Sequence, residues 1–400
     1  MPVSTVRNFL KSRRCISVTY VLSALVTWGQ NPLEDRDLLS QPEIREVFDA
    51  LERYQPQIVF SRISRDDAGS VIGIETHTFN VDPTRYFYPA STVKLPAAII
   101  ALERLESDPK LNGVEATTRY RMFGEDLEIA YPNPEQRESS LLRDIERVAV
   151  ASDNMAFNRL FDFVGPDVIE ARLLQGERPP QLSHRLAISL PSKLQRSLMG
   201  FEFEAGVGSL EPRQLGPDTF APEEALGIGY RSRGELIPSP FAVHRRNFIS
   251  LEALHDALLG LVIEDGEAFG LSSYKLSSEH RSLLIELFSR LPRNSPEYAS
   301  ENLPDNYVKY LIYGDQPEAV IPDSLTIINK IGQAYGFLSD VAYVSDAESG
   351  VAFALSAVVY VNANEIFNDN VYEYDTIGLP FLGALGRAVL RFEQGLASGK

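Results

Sequence analysis

Cysteine is almost missing from this chain of 400 residues: Cys15 stands alone. A single thiol cannot form a disulfide within the chain, and cysteine-based metal sites are excluded with it. Lysine is scarce too, at eight, and Lys plus Arg (38) fall well short of Asp plus Glu (55). The formal charge of −17 argues against nucleic acid as a partner, because phosphate binding needs a basic face. There is no internal repeat and no low-complexity tract. What is present is apolar content of 44%, enough to bury one large core or two linked ones. With so few lysines, one that falls inside a motif carries more weight than usual.

The N-terminus reads as a targeting segment. Arg7, Lys11, Arg13 and Arg14 precede an uncharged stretch from Cys15 to Leu33 whose apolar heart is Ile16–Trp28. Basic residues followed by a short apolar run describe a signal peptide over residues 1–30, with Thr27-Trp28-Gly29 as the cleavage site, or an uncleaved signal anchor. The expectation is an exported protein, periplasmic or secreted, touching a membrane only through such an anchor. Cys15 precedes the apolar core, the wrong place for a lipid anchor.

Periodicity gives the element order. Pro42–Tyr54 keeps a helical stripe through Ile44, Val47, Phe48 and Leu51. Gln57–Ser64 and Val71–Phe79 are strand-like runs around a turn-rich spacer, a hairpin. Helices are expected at Ser91–Glu106, Ser140–Val150, Met155–Val164, Ser250–Leu261 and Ser278–Leu291. Residues 176–247 are rich in Pro and Gly and read as an irregular insertion. Ser324–Lys330, Gly336–Ser345 and Val351–Val361 form a meander, and Leu379–Leu396 a last amphipathic helix. Strands at both ends of a chain can share one sheet only if the middle is inserted. The expected fold is therefore α+β: a five-stranded antiparallel sheet flanked by N- and C-terminal helices, with an inserted all-helical domain. Residues 42–106 and 323–397 supply the sheet domain, and 107–322 the insert.

Chemistry concentrates in three short motifs. Ser91-Thr92-Val93-Lys94 follows an apolar turn and opens the run Leu95–Leu105. A serine and a lysine three apart share a helix face, so a lysine that loses its proton on burial can act as base to the serine. Two other Ser-x-x-Lys matches lack that setting. Ser107/Lys110 contains a proline and reads as a turn, and Ser272/Lys275 has no apolar helix behind it. Ser152-Asp153-Asn154 is the only Ser-Asp-Asn, and Lys330-Ile331-Gly332 the only Lys-x-Gly, closing an apolar strand. Each motif also has a bland reading: Ser91 as a helix cap, Ser152-Asp153-Asn154 as an N-cap cluster, Lys330 as a solvated strand end.

Taken in order, these motifs resemble those of the penicillin-recognising serine acyltransferases, particularly class A β-lactamases and related D,D-peptidases. The 61-residue step from Ser91 to Ser152 is similar to class A spacing. The resemblance covers about Pro42–Leu396 less the insertion, and implies a β-lactamase/transpeptidase-like fold. It implies Ser91 as nucleophile and Lys94 as proton acceptor. Ser152 would carry a proton to the leaving nitrogen, and Lys330 would lower the pKa of Lys94 and favour an anionic substrate. Asn154 would hold a substrate amide or brace Lys94. Gly332 and Gln333 line the substrate, with the backbone N–H groups of Ser91 and Gln333 as the oxyanion hole. No cofactor and no metal is implied, and a monomer is expected.

Two departures qualify the substrate. Ile331 stands where the family carries a serine or threonine hydroxyl that binds a carboxylate. Class A enzymes also use a glutamate to activate the deacylating water, yet counting at family spacing lands near Ile188, and 178–201 holds no Asp or Glu. Glu211 is the substitute candidate, in Glu211-Pro212-Arg213-Gln214-Leu215. His184, His244, His255 and His280 have no second ligand at metal spacing and read as loop or packing histidines. The leading expectation is β-lactam hydrolysis through an acyl-serine. The alternatives are a D,D-carboxypeptidase or other amidase/esterase on cell-wall peptides, and a non-catalytic member that binds peptidoglycan or a partner.

Overall fold

A computed structural model describes residues 30–216 and 223–399. The expected leader lies outside the described residues. Five antiparallel strands form the central sheet: β1 (Gln57–Arg65), β2 (Val71–Phe79), β3 (Leu325–Ala334), β4 (Phe337–Asp346) and β5 (Val351–Tyr360). Their spatial order is β3-β4-β5-β1-β2, so the two ends of the chain meet where β1 pairs with β5. Burial runs almost unbroken along β4 and β5 because both faces are covered.

One face packs on α1 (Pro42–Phe48) and the C-terminal helix. The other packs on α2 (Lys94–Ser107) and the helices of the inserted segment: α3 (Leu141–Ala151), α4 (Asn154–Val164), α5 (Leu251–Val262) and α6 (Ser278–Ser289). The C-terminal helix, α7, spans Leu379–Ala397. α2 is the centre of this layer; Leu95 through Leu102 are all buried, so it is apolar on every side.

Several details depart from the sequence expectation. The first helix breaks after Phe48, at Ala50 (φ −135, ψ 52), and resumes as Leu51–Tyr54; Phe48 is held there by stacking on Phe79 at 4.2 Å. β3 runs four residues past Lys330, because Tyr335 (φ 57) and Gly336 (φ 82) make the two-residue turn with both φ positive that antiparallel hairpins favour.

The inserted segment is not all helix. Arg119–Phe123 pairs with Glu138–Ser140 on one side and Gly200–Phe203 on the other. The alternation in Arg119–Phe123, exposed and buried by turns, is the period of a half-buried strand. Residues 176–247 also hold short ribbons, one of which, Gly229–Ser232, pairs in parallel with Ile366–Phe367 after β5. The insertion is thereby tied to the sheet end that bears the motifs.

Candidate active site

Ser91 does not open a regular helix. Ala90–Val93 is a 3-10 turn that hands over to α2 at Lys94, and the Ser91 hydroxyl caps neither element. Pro96 fits here because a proline in the first helical turn gives up no hydrogen bond. Ala90 holds φ 47, unusual for a residue with a Cβ, so the turn is strained just ahead of the serine. Ser152 also has a left-handed backbone (φ 55, ψ 35) and ends α3. Asp153 then caps α4, accepting from the Ala156 N–H at 2.7 Å, and pairs with Arg147.

These turns aim four side chains at one point. Lys94 Nζ lies 2.8 Å from Ser91 Oγ, 2.8 Å from Asn154 Oδ1, 2.5 Å from the Ser152 carbonyl and 3.2 Å from Ser152 Oγ. Lys330 Nζ reaches Ser152 Oγ at 2.9 Å from the opposite side. Both ammonium groups are out of water, Lys94 fully and Lys330 at 1% exposure. Burial pushes Lys94 well below the ordinary lysine range, and the positive charge of Lys330 pushes the same way against weaker help from Asp153. Burial also takes Lys330 down to about 7, with Asp340 opposing the shift and Lys309 reinforcing it.

The partners of Lys94 accommodate the neutral amine that burial favours. A neutral amine has two N–H donors and one lone pair. Asn154 Oδ1 and the Ser152 carbonyl can only accept, so they take both hydrogens. That leaves the lone pair to accept a proton from a hydroxyl, of which Ser91 Oγ at 2.8 Å is nearer than Ser152 Oγ at 3.2 Å.

Gly332 has a steric role. A Cβ built there would lie 2.5 Å from the Pro89 carbonyl and 2.7 Å from Ser339 Oγ, so only glycine lets β3 approach the Ser91 turn. Gln333 follows on the exposed part of β3, and its Oε1 accepts from the Tyr310 hydroxyl at 2.9 Å. Ile331 is buried and carries no donor.

Some candidates are not brought to this point. Asn158, one turn along α4 from Asn154, clamps Leu186 by both its N–H (2.8 Å) and its carbonyl (3.0 Å). The loop that passes beside the site is therefore anchored by Leu186, in a stretch without carboxylates. Glu211 lies elsewhere: its neighbour Arg213 bonds the Val164 carbonyl and Asp167, at the far end of α4 from Asn154. An 11-residue helix is about 16 Å long, which removes Glu211 as a base at Ser91.

The histidines are accounted for separately. His255 is buried between Ser61 and Ser356, His280 pairs with Glu106, and His244 bonds the Glu224 carbonyl. His184 stacks on Tyr88, and burial holds it down to about 4, hence neutral. Among the described residues no three His, Cys, Asp or Glu side chains stand together to hold a metal.

Sequence reasoning missed Lys309. It is wholly buried and donates to the Phe288 and Ile327 carbonyls and to Asn329 Oδ1, which in turn donates to Asp340. Asn329 precedes Lys330 in β3, so this cluster lies on the sheet face opposite Lys330. No local motif marks it, since its members come from three separate segments.

Residues 41–217 match the model of the beta-lactamase enzyme family. Over that stretch the chain is similar to the beta-lactamase enzyme family. The match takes in the Ser91, Lys94, Ser152 and Asn154 positions, and it supports serine hydrolase chemistry of the beta-lactamase kind. No curated protein matches the chain. Among solved structures it is similar to a beta-lactamase from Sphaerobacter thermophilus (16% identity, 88% of this chain and 97% of that one, TM-score 0.49). It is similar also to one from Desulfarculus baarsii (15%, 90% and 99%, TM-score 0.47).

Proposed function

We propose that this protein is an exported serine hydrolase that works through an acyl-Ser91 intermediate, with a β-lactam amide as its leading substrate class. The observation that carries this reading is the buried Lys94 Nζ 2.8 Å from Ser91 Oγ, with Asn154 Oδ1 and the Ser152 carbonyl placed to take the two hydrogens of a neutral amine. In the proposed reaction the Ser91 oxygen attacks the substrate carbonyl and its proton passes to Lys94. The tetrahedral oxyanion is received by the backbone N–H groups of Ser91 and Gln333. As the C–N bond breaks, the proton on Lys94 reaches the departing nitrogen through Ser152 Oγ, which lies between Lys94 and Lys330. Lys330 supplies positive charge for an anionic substrate. The basic-then-apolar N-terminus supports export.

A second reading is favoured by one observation: the loop at Leu186 brings no carboxylate to activate water. The acyl-enzyme would then be long-lived, as suits a D,D-carboxypeptidase or other amidase or esterase on cell-wall peptides. Intact-mass measurement after exposure to a fluorescent penicillin separates the two. Turnover with no lasting adduct supports the lactamase, and a stable Ser91 adduct supports the peptidase. Ser91→Ala is expected to abolish acylation, and hydrolysis that survives this change would remove Ser91 as the nucleophile.

A further inference from the structure

A cavity of about 660 Å³ is lined by residues of the insertion, from Ser183 to Arg246. In a chain of charge −17 its described lining holds Lys193, Arg196, Arg245 and Arg246 and no Asp or Glu. Arg196 bonds the Gly216 carbonyl, and Arg245 bonds His244. Two polar atoms of the lining are buried with no hydrogen-bond partner: Arg246 Nε and His184 Nε2. Buried polar groups are nearly always satisfied, so the Arg246 N–H points to a missing acceptor; His184 gives its Nδ1 hydrogen to the Arg185 carbonyl, so its neutral ring presents Nε2 as an acceptor. Tyr230 and Phe241 give the cavity an apolar wall.

Packed rings link the cavity lining to the Ser91 turn. Arg246 lies over the rings of Phe241 (4.9 Å) and Tyr335 (5.9 Å). Tyr335 packs edge-on against Tyr88 at 4.9 Å, and His184 stacks on the same Tyr88. Tyr88 comes three residues before Ser91, and Tyr335 two residues after Gln333. Direction along β3 tells which part of a substrate would reach it. Lys330 and Ser152 serve the leaving group at one end. Tyr335 lies five residues on, roughly 16 Å away in extended chain, on the side left to the acyl group.

We propose that this pocket receives an anionic group, a carboxylate or phosphate, carried on the acyl portion of the substrate that acylates Ser91. Lys193 and Arg246 supply charge, the unmet Arg246 N–H supplies a hydrogen-bond donor, and Tyr230 and Phe241 cover the linking hydrocarbon. The proposal rests on the acyl-Ser91 reading, so its test carries a control for that reading.

The experiment compares p-nitrophenyl hexanoate with the mono-p-nitrophenyl esters of adipic and suberic acids, following nitrophenolate release and Ser91 acylation by intact mass. The expected result is a kcat/KM advantage of about tenfold or more for an acid-bearing ester, the scale of one charge-assisted contact. Lys193→Glu with Arg246→Met is expected to remove that advantage, read as the ratio of the two rates within each protein so that a folding defect is not mistaken for it. A neutral ester that acylates Ser91 as fast as the acids would overturn the pocket and leave Ser91 standing. Inorganic phosphate is expected to compete only against the acid esters; if it alters the neutral ester's rate, the pocket serves a free anion and the proposal fails. If no ester acylates Ser91, that reading falls instead. Calorimetric binding of suberate to Ser91→Ala protein, weakened at least tenfold by the double change, then decides the pocket by itself.

Discussion

Lys94 and Lys330 give the site opposite demands on protonation. On the proposed acyl-Ser91 mechanism Lys94 must be neutral to accept the Ser91 proton, while Lys330 must keep its proton to attract an anion. Acylation of a neutral ester is therefore expected to rise with pH as Lys94 deprotonates and to level off. For a carboxylated penicillin, KM is expected to climb above about pH 7, where Lys330 loses its charge. Separate pH profiles of kcat and KM check both limbs; a KM that stays flat through pH 7–9 would contradict the role given to Lys330.

Lys309 acts on that balance from the far face of the sheet. Burial takes it, too, down to about 7, with Asp340 opposing the shift. Lys309→Met is expected to destabilise the fold by roughly 3–5 kcal/mol, because three acceptors and Asp340 lose a buried partner. It is also expected to move the Lys330 transition to higher pH, since the Lys309 charge lowers it. Denaturant titration reads the first effect and the KM profile the second. At this scale the sequence showed Ser91, Lys94, Ser152, Asn154 and Lys330, which sit in motifs that are local along the chain. Lys309, Asn329 and Asp340 could not be seen that way, because only the strand pairing brings them together.

Among the elements, the contact of β3 with the Ser91 turn is the tightest constraint. Gly332→Ala would set a methyl 2.5 Å from the Pro89 carbonyl, and backbone must give way. The expected result is a stability loss of about 1–3 kcal/mol, typical of overpacking. Acylation should slow on the order of a hundredfold, the cost of misplacing reacting groups by about 1 Å. Stopped-flow acylation and a thermal melt on the same protein test this; an unslowed reaction would mean that β3 does not position the oxyanion donors. The long helices and the five strands were legible because each keeps one period for nine residues or more. The ribbons at Gly229–Ser232 and Glu235–Ile237 were not. They are four and three residues long, and a pattern of period two needs more length to stand out.

For the molecule as a whole, α5 is fastened to the sheet by His255, which bonds Ser61 on β1 and Ser356 on β5 at 2.9 and 2.7 Å. Burial drops its pKa to about 3. Between that value and its unfolded pKa of about 6.5 the unfolded chain binds the extra proton, so stability rises with pH across this window and falls on acidification. His255→Gln is expected to lower the slope between pH 5.5 and 6.5, where carboxylates of ordinary pKa are already ionised, leaving the share that His184 contributes. Urea melts at several pH values measure it, and an unchanged slope would mean that His255 is not the group responsible. That strands from both ends form one sheet followed from the order of elements alone. The links between insertion and sheet, such as the pairing of Gly229–Ser232 with Ile366–Phe367, follow from contacts that no local pattern announces.

The pairing of β1 with β5 also sets a clock. Roughly 300 residues separate them, and ribosomes add ~5–20 residues per second, so β1 waits about 15–60 s for the neighbour that completes it. Through that interval the β1 edge of the β1–β2 hairpin stays open, and the buried faces of Ile58, Val59 and Phe60 have nothing to lie against. A nascent chain of this design needs an attendant that holds apolar strands apart until its last hundred residues emerge.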